Sequence, residues 1–257
     1  MGTSRNLHYF LLIVGGLLVV RVETYPRIPD SPQELEITDF STGRHFEILK
    51  LTQQWPQTIC FTFQEKGASE LCKSLNDSRW TIHGLWPTQL HTKKPAYCDN
   101  SARFNATAIA SIEKELNATW PTLAKNKPSQ AFWEHEWEKH GTCSTMLQPV
   151  NTQEKYFKKT MQLRDKFYVK NLLEKVNILP GQSYPVQNIA DQVSRVLGKR
   201  CVISYVCHPT KHESYLAEIQ ICFDKSFKLT DCDGNIDYPE KCSHTRDVIY
   251  PESSPIF

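Results

Sequence analysis

FWEHEWEKHGTC, residues Phe132 to Cys143, places two histidines, three glutamates, a lysine and two tryptophans within twelve positions. Read as a helix at about 100° per residue, with His135 as zero, Lys139 falls near about 40°, Phe132 near about 60°, Glu136 near about 100° and His140 near about 140°. His135, Glu136, Lys139 and His140 thus share one side, and Trp133 and Trp137 take the flank beyond. Gly141 lets the chain leave the helix, and Cys143 can staple that exit in place. Two imidazoles, a carboxylate and an ammonium on one face suit a reaction on an anion that needs proton transfer. The ordinary alternative is a solvated Glu/Lys helix held by i,i+4 pairs. The sharper rival is zinc, because H-E-x-x-H chelates a metal through histidines four apart. The spacing here is H-E-x-x-x-H, Lys139 stands where the second ligand belongs, and the histidines lie too far round the helix for an easy chelate.

Outward from this helix, a second histidine-bearing segment precedes it, WTIHGLWP from Trp80 to Pro87. It is aromatic and β-branched and reads as a strand closed by Pro87. Taken alone, His83 would pass for a hydrogen-bonded structural residue and Trp86 for core packing. FEILKLTQQWP, from Phe46, predicts a strand ending at Pro56. ATAIASIEKELNATWP predicts a helix stopped by Pro121, a second helix covers 130–141, and EKYFKKTMQLRDKFYVKNLLEKV predicts one long helix. VQNIADQVSRVLG predicts another, ended by Gly198. CVISYVC, YLAEIQICF and FKLTDC then read as strands. Strands and helices mix without βαβ regularity, so the fold class is α+β, a single domain from residue 46 to 257.

The chain of 257 residues begins MGTSRNLHYFLLIVGGLLVVRVETYP. Arg5 and the apolar run from Tyr9 to Val20 match a secretory signal over residues 1–24, cut between Val22 and Pro26. Residues 25–45 are rich in Pro, Ser and charge and are expected to be a poorly ordered leader. Nine cysteines all lie downstream of that signal, none in a C-x-x-C pair. This suits an oxidising compartment and neither a zinc ribbon nor a thioredoxin motif. Sequons at Asn76, Asn105 and Asn117 are the expected glycosylation sites of an exported chain. The formal net charge is +2, about +1 without Arg5, Arg21 and Glu23. That excludes nucleic-acid binding along a large basic face, and leaves RNA or DNA only as a ligand met at a local site.

WTIHGLWP and FWEHEWEKHGTC resemble, in order and spacing, the two active-site segments of the ribonuclease T2 family. LTQQWPQTIC resembles the family's opening strand, and the resemblance runs, more weakly, from Phe46 through Cys242. It implies a central antiparallel sheet flanked by helices and closed by four disulfides, Cys60–Cys72, Cys98–Cys143, Cys207–Cys242 and Cys222–Cys232, with Cys201 unpaired. It also implies an endoribonuclease that cuts single-stranded RNA without metal or other cofactor. The 2′-hydroxyl attacks its own 3′-phosphate and leaves a 2′,3′-cyclic phosphate. His140 matches the general base and His83 the general acid. His135 matches the phosphate binder, and Glu136 and Lys139 the pair that stabilises the pentacovalent transition state. Trp86 and Phe132 match base-stacking positions, and Gln54 adds to the second base site. Where members of the family carry an acidic residue after L-W-P this chain has Thr88, which leaves base preference open.

The resemblance and the signal together imply a secreted monomer, with a lysosome-like compartment as the other destination and no stable membrane association. Glycan-mediated uptake by a receptor would follow from the sequons. The competing class is a secreted glycoprotein that uses this fold for binding or signalling, with catalysis incidental. Both motif histidines are present, which favours the enzyme.

Overall fold

The computed structural model describes residues 13–14, 17–18, 44–65, 72–73, 79–92, 94–234, 236–237 and 247–255. Residues 1–38 form one compact unit, in which Ile13–Val14 (β1) and Leu17–Leu18 (β2) pair antiparallel. The signal cut and most of the leader expected from the sequence lie outside the described residues. Among the described residues no helix is long and apolar enough to cross a membrane.

The second unit is built on one sheet. Its strands are β3 (Ile48–Gln54), β4 (Thr81–Thr88), β5 (Gln182–Pro185), β6 (Val202–Cys207), β7 (Ser214–Phe223), β8 (Leu229–Thr230), β9 (Ile236–Asp237) and β10 (Asp247–Tyr250). The order is β4-β3-β7-β10-β5, with β6 and β8 also on β7, and β9 on β6. The sheet is mixed, not wholly antiparallel, because β10 runs parallel to β7 and β9 parallel to β6. The reason lies in β7. Ten residues long and buried at nearly every position, it offers ladder partners on both sides, and the returning C-terminal strand takes the vacant stretch at Tyr215.

Helices cover the sheet: α1 (Pro56–Glu65), α2 (Glu113–Thr119), α3 (Ser129–Lys139), α4 (Gln153–Lys166), α5 (Val169–Lys175) and α6 (Val186–Leu197). The sequence reading missed α1, since Pro56 reads equally as the stop of β3 and as the first residue of a helix. The helix expected from Ala106 is a 3-10 turn, Ala106–Ile112, leading into α2, with the Asn105 side chain accepting the Thr107 N–H at its start. The expected long helix is two. Gln53, fully buried in β3, inserts its amide into the gap, donating to the Phe167 carbonyl (2.8 Å) and accepting from the Val169 N–H (3.2 Å). Those bonds satisfy backbone groups that the break would otherwise orphan.

Six tryptophans punctuate the chain, and every indole N–H has an acceptor. Two of them join the motif segments. Trp133 of α3 donates to the Trp120 carbonyl (2.8 Å), and Trp120 donates to the His83 carbonyl of β4 (2.9 Å). Both rings are fully buried, so each supplies large apolar area as well as a fixed hydrogen bond.

Three disulfides close among the described residues, Cys60–Cys72, Cys98–Cys143 and Cys222–Cys232. Of the fourth expected bridge, Cys207–Cys242, Cys207 is disulfide-bonded and Cys242 lies outside the described residues. Cys201 is a free, buried thiol, and burial pushes its pKa up to about 11.

Replacing Gln53 by Leu tests the helix break. The Phe167 carbonyl and Val169 N–H then lose their partner in a buried site, and unfolding stability should fall by about 1–3 kcal/mol, as measured in denaturant.

Candidate active site

His83 owes its position to an irregularity. Thr52 of β3 faces Gly84 of β4, but the next residue, Gln53, faces Ile82, so His83 is the extra residue of a β-bulge. In a regular strand His83 and Trp86, three apart, would point to opposite faces. The bulge brings them to one face, with ring centroids 5.0 Å apart and edge-on. A second irregularity lies across the sheet. Ser204 of β6 faces Glu218 of β7 and Tyr205 faces Leu216, leaving Ala217 as the extra residue. Between the two bulges, Glu218 reaches past β3, and its Oε1 accepts a hydrogen bond from His83 Nδ1 at 2.5 Å.

From the other side comes α3. It ends at Lys139, and His140 lies beyond the helix at φ −120°, so the sequence expectation of a helix to 141 and its wheel angle for His140 are corrected. The turn at Gly141–Cys143 takes over there. Gly141 permits it, because a Cβ would collide with the Trp137 ring, and the Cys98–Cys143 bridge holds it. His140 swings over the Trp86 face, with centroids 5.4 Å apart and planes 32° apart, and 6.5 Å from the His135 ring. The two imidazoles of His83 and His140 therefore flank one indole. Phe132 stands 5.8 Å from the His83 ring.

Glu136 is 1% exposed. Its Oε2 accepts the Trp86 indole N–H at 2.9 Å, and its Oε1 lies 4.0 Å from His83 Nε2. Gly84 makes room for this pair, since a Cβ there would overlap both Glu136 Oε2 and Trp86 Nε1.

Burial and charge set these groups apart. Burial alone would favour a neutral His83, but the Glu218 carboxylate, by charge and hydrogen bond, and Glu136 behind it lift its pKa to about 9. Burial, then the charges of Lys139, His135 and His83, lower that of His140 to about 3. Burial raises that of Glu136 to about 7 against the pull of His83, Trp86 and Lys139. His135, at the exposed end of the cluster, is shifted down by partial burial and by Lys139, His83 and Lys127. At neutral pH one imidazole carries a proton and its counterpart carries none.

His83, Trp86, Phe132, His135, Glu136, Lys139 and His140 are thus brought together, as the two motifs led one to expect. Gln54 is the exception, buried in β3 at the register of Thr81 and Glu218. Of the sequons, Asn105 and Asn117 are exposed and Asn76 lies outside the described residues. Glu218 was not singled out from the sequence. Its signal was there, a lone carboxylate inside the apolar run YLAEIQICF.

The family model for the ribonuclease T2 family matches residues 46–232, which span both histidine segments. The chain belongs to the ribonuclease T2 family. It is 33% identical to ribonuclease T2 of Danio rerio over 222 residues, covering 79% of this chain and 86% of that one. Among solved structures it is similar to ribonuclease MC1 from bitter gourd seeds, with a TM-score of 0.67 and 31% identity over 80% of this chain and all of that one. Human RNase T2 gives a TM-score of 0.64 and 30% identity over 80% of this chain and 98% of that one. As a T2-type endoribonuclease the protein has RNA as its substrate class.

Gly84→Ala should force the Glu136–Trp86 pair apart. The expected loss is about 1–3 kcal/mol of stability, as for other overpacked buried sites, read by thermal unfolding.

Proposed function

We propose that the protein cleaves single-stranded RNA by transphosphorylation, with His140 as general base and His83 as general acid. His140 takes the proton of the 2′-hydroxyl as O2′ bonds to phosphorus. The P–O5′ bond breaks, His83 gives its proton to the departing O5′, and a 2′,3′-cyclic phosphate remains. The observation that carries this reading is that both imidazoles pack on one indole, Trp86, in surroundings that favour a proton on His83 and none on His140. Such a pair can give and take protons in one step without first exchanging them with water.

The remaining groups fit the charge that develops on phosphorus. His135 and Lys139 meet the phosphate. Glu136, held near neutrality by burial, offers a carboxyl proton to a non-bridging oxygen where an ordinary carboxylate would repel it. Phe132 supplies an apolar face for a base, and Trp86, whose N–H is engaged by Glu136, supplies its ring. Stacking of this kind tolerates any base.

Wild-type protein should cut a labelled single-stranded RNA to cyclic-phosphate ends with EDTA present. His83→Ala and His140→Ala should each lose about 10²–10⁴-fold in rate. The base must be unprotonated and the acid protonated in the free enzyme. So kcat/KM should rise as pH increases through about 3, lose part of its value through about 7 as the Glu136 carboxyl gives up its proton, and fall away through about 9. No cleavage by well-folded protein would favour the binding-glycoprotein reading.

Export belongs to the same proposal. Disulfides at three places in the fold suit an oxidising compartment, and Asn105 and Asn117 present exposed sequons. The mass of protein recovered from medium, before and after enzymatic deglycosylation, should differ by at least one N-glycan and show the N-terminal segment removed.

A further inference from the structure

The His83–Glu218 contact does more than hold a ring in place. Glu218 sits two strands from His83 in the sheet order β4-β3-β7, on a strand buried at nearly every position, and its side chain is only 15% exposed. A carboxylate there is costly unless a cation or strong donor meets it. Its register neighbours, Ser204 and Gln54, are uncharged. His83 is the cation that meets it, and the paired bulges at His83 and Ala217 accompany that meeting.

We propose that Glu218 is the positioning residue of the proton donor. It accepts Nδ1–H of His83, turns Nε2–H toward the cleft, and keeps the ring charged where an ordinary imidazole would already be neutral. This rests on the reading of His83 as general acid.

A neutral amide at position 218 could orient the ring equally well, since its oxygen also accepts Nδ1–H. Only a carboxylate also raises the ring's affinity for its proton. The consequence is directional. Once His83 has given its proton to O5′, Glu218 is left facing an uncharged ring in a poorly solvated site, so reprotonation from water is strongly favoured and the acid is reloaded. The cost is a weaker acid at the moment of transfer. The balance favours an enzyme that stays active at neutral and mildly alkaline pH.

The other charges facing His83 come from α3 and its end. Glu136, 4.0 Å from Nε2, adds to the effect of Glu218. Lys139 opposes both, and His135 and His140 feel the His83 charge in turn. From β3 no titratable side chain intervenes at this register, where Thr52, Gln53 and Gln54 lie. Glu218 hydrogen-bonds His83 directly, and among the groups placed around the phosphate it reaches Glu136 only through its charge.

The test uses two substrates, a dinucleoside phosphate and uridine 3′-(4-nitrophenyl phosphate). The second expels a leaving group that departs without a proton. Glu218→Gln should slow the dinucleotide about 10-fold at pH 8, leave the aryl ester within about 2-fold, and move the alkaline limb of kcat/KM down by about one pH unit or more. Glu218→Asp, which keeps the charge, should fall between wild type and Glu218→Gln, and it carries the test if the amide variant does not fold. Equal losses on both substrates, or an alkaline limb unmoved in a folded variant, would overturn the proposal. His83→Ala is the control. Equal losses on both substrates in that variant would overturn the assignment of His83 itself, and this proposal with it.

Discussion

Trp133 donating to the Trp120 carbonyl, and Trp120 donating to the His83 carbonyl, set how far α3 stands from β4. The two motif segments come from a strand and a helix some fifty residues apart, and the proposed mechanism requires them within reach of one phosphate. A hydrophobic interface alone would let them slide, since burial has no direction. Buried indole N–H groups do have direction, and an unpaired one costs about 1–3 kcal/mol. The tryptophan chain converts apolar packing into a fixed register. Trp86 repeats the device inside the cleft, its N–H taking up the buried Glu136 carboxylate.

On that frame the electrostatics are a matter of which groups are near which. His83 and His140 have the same chemistry and ordinary pKa values near 6.5. One is given carboxylates on both ring nitrogens' sides, at 2.5 Å and 4.0 Å. The other is given burial and the cationic Lys139 and His83, with His135 adding its charge only when protonated, and its buried Nδ1 meets no acceptor among the described residues. Their affinities for a proton separate by several orders of magnitude, which is what an acid and a base acting together require. Glu136 shows the same logic with the sign reversed, because burial makes a carboxylate into a group able to donate.

Much of this was legible in the sequence. The helix periodicity of Phe132 to Cys143 placed His135, Glu136 and Lys139 correctly, and the resemblance of both motifs gave the family and the cleft residues. What was not legible depends on contacts between distant segments. The bulge at His83 exists only in the pairing of β4 with β3, and nothing within WTIHGLWP marks it. Glu218 lies over a hundred residues from His83 in sequence, in a run that reads simply as a buried strand. The split between α4 and α5 comes from a glutamine of β3, so a local periodicity running from Tyr156 to Val176 gave no sign of it. The exit at Gly141 and its staple at Cys143 were marked in the sequence, but not that His140 already lies outside the helix, which a helical wheel does not show.

The central claim is that the resting enzyme holds its two cleft histidines in opposite protonation states. Nitrogen-15 NMR of the imidazoles, assigned with His83→Gln and His140→Gln variants and followed from pH 4 to 10, tests it most directly. The account predicts that the His83 ring is doubly protonated at neutral pH and titrates near about 9, while His140 stays neutral across the whole range. Two rings titrating together near an ordinary imidazole value would contradict it.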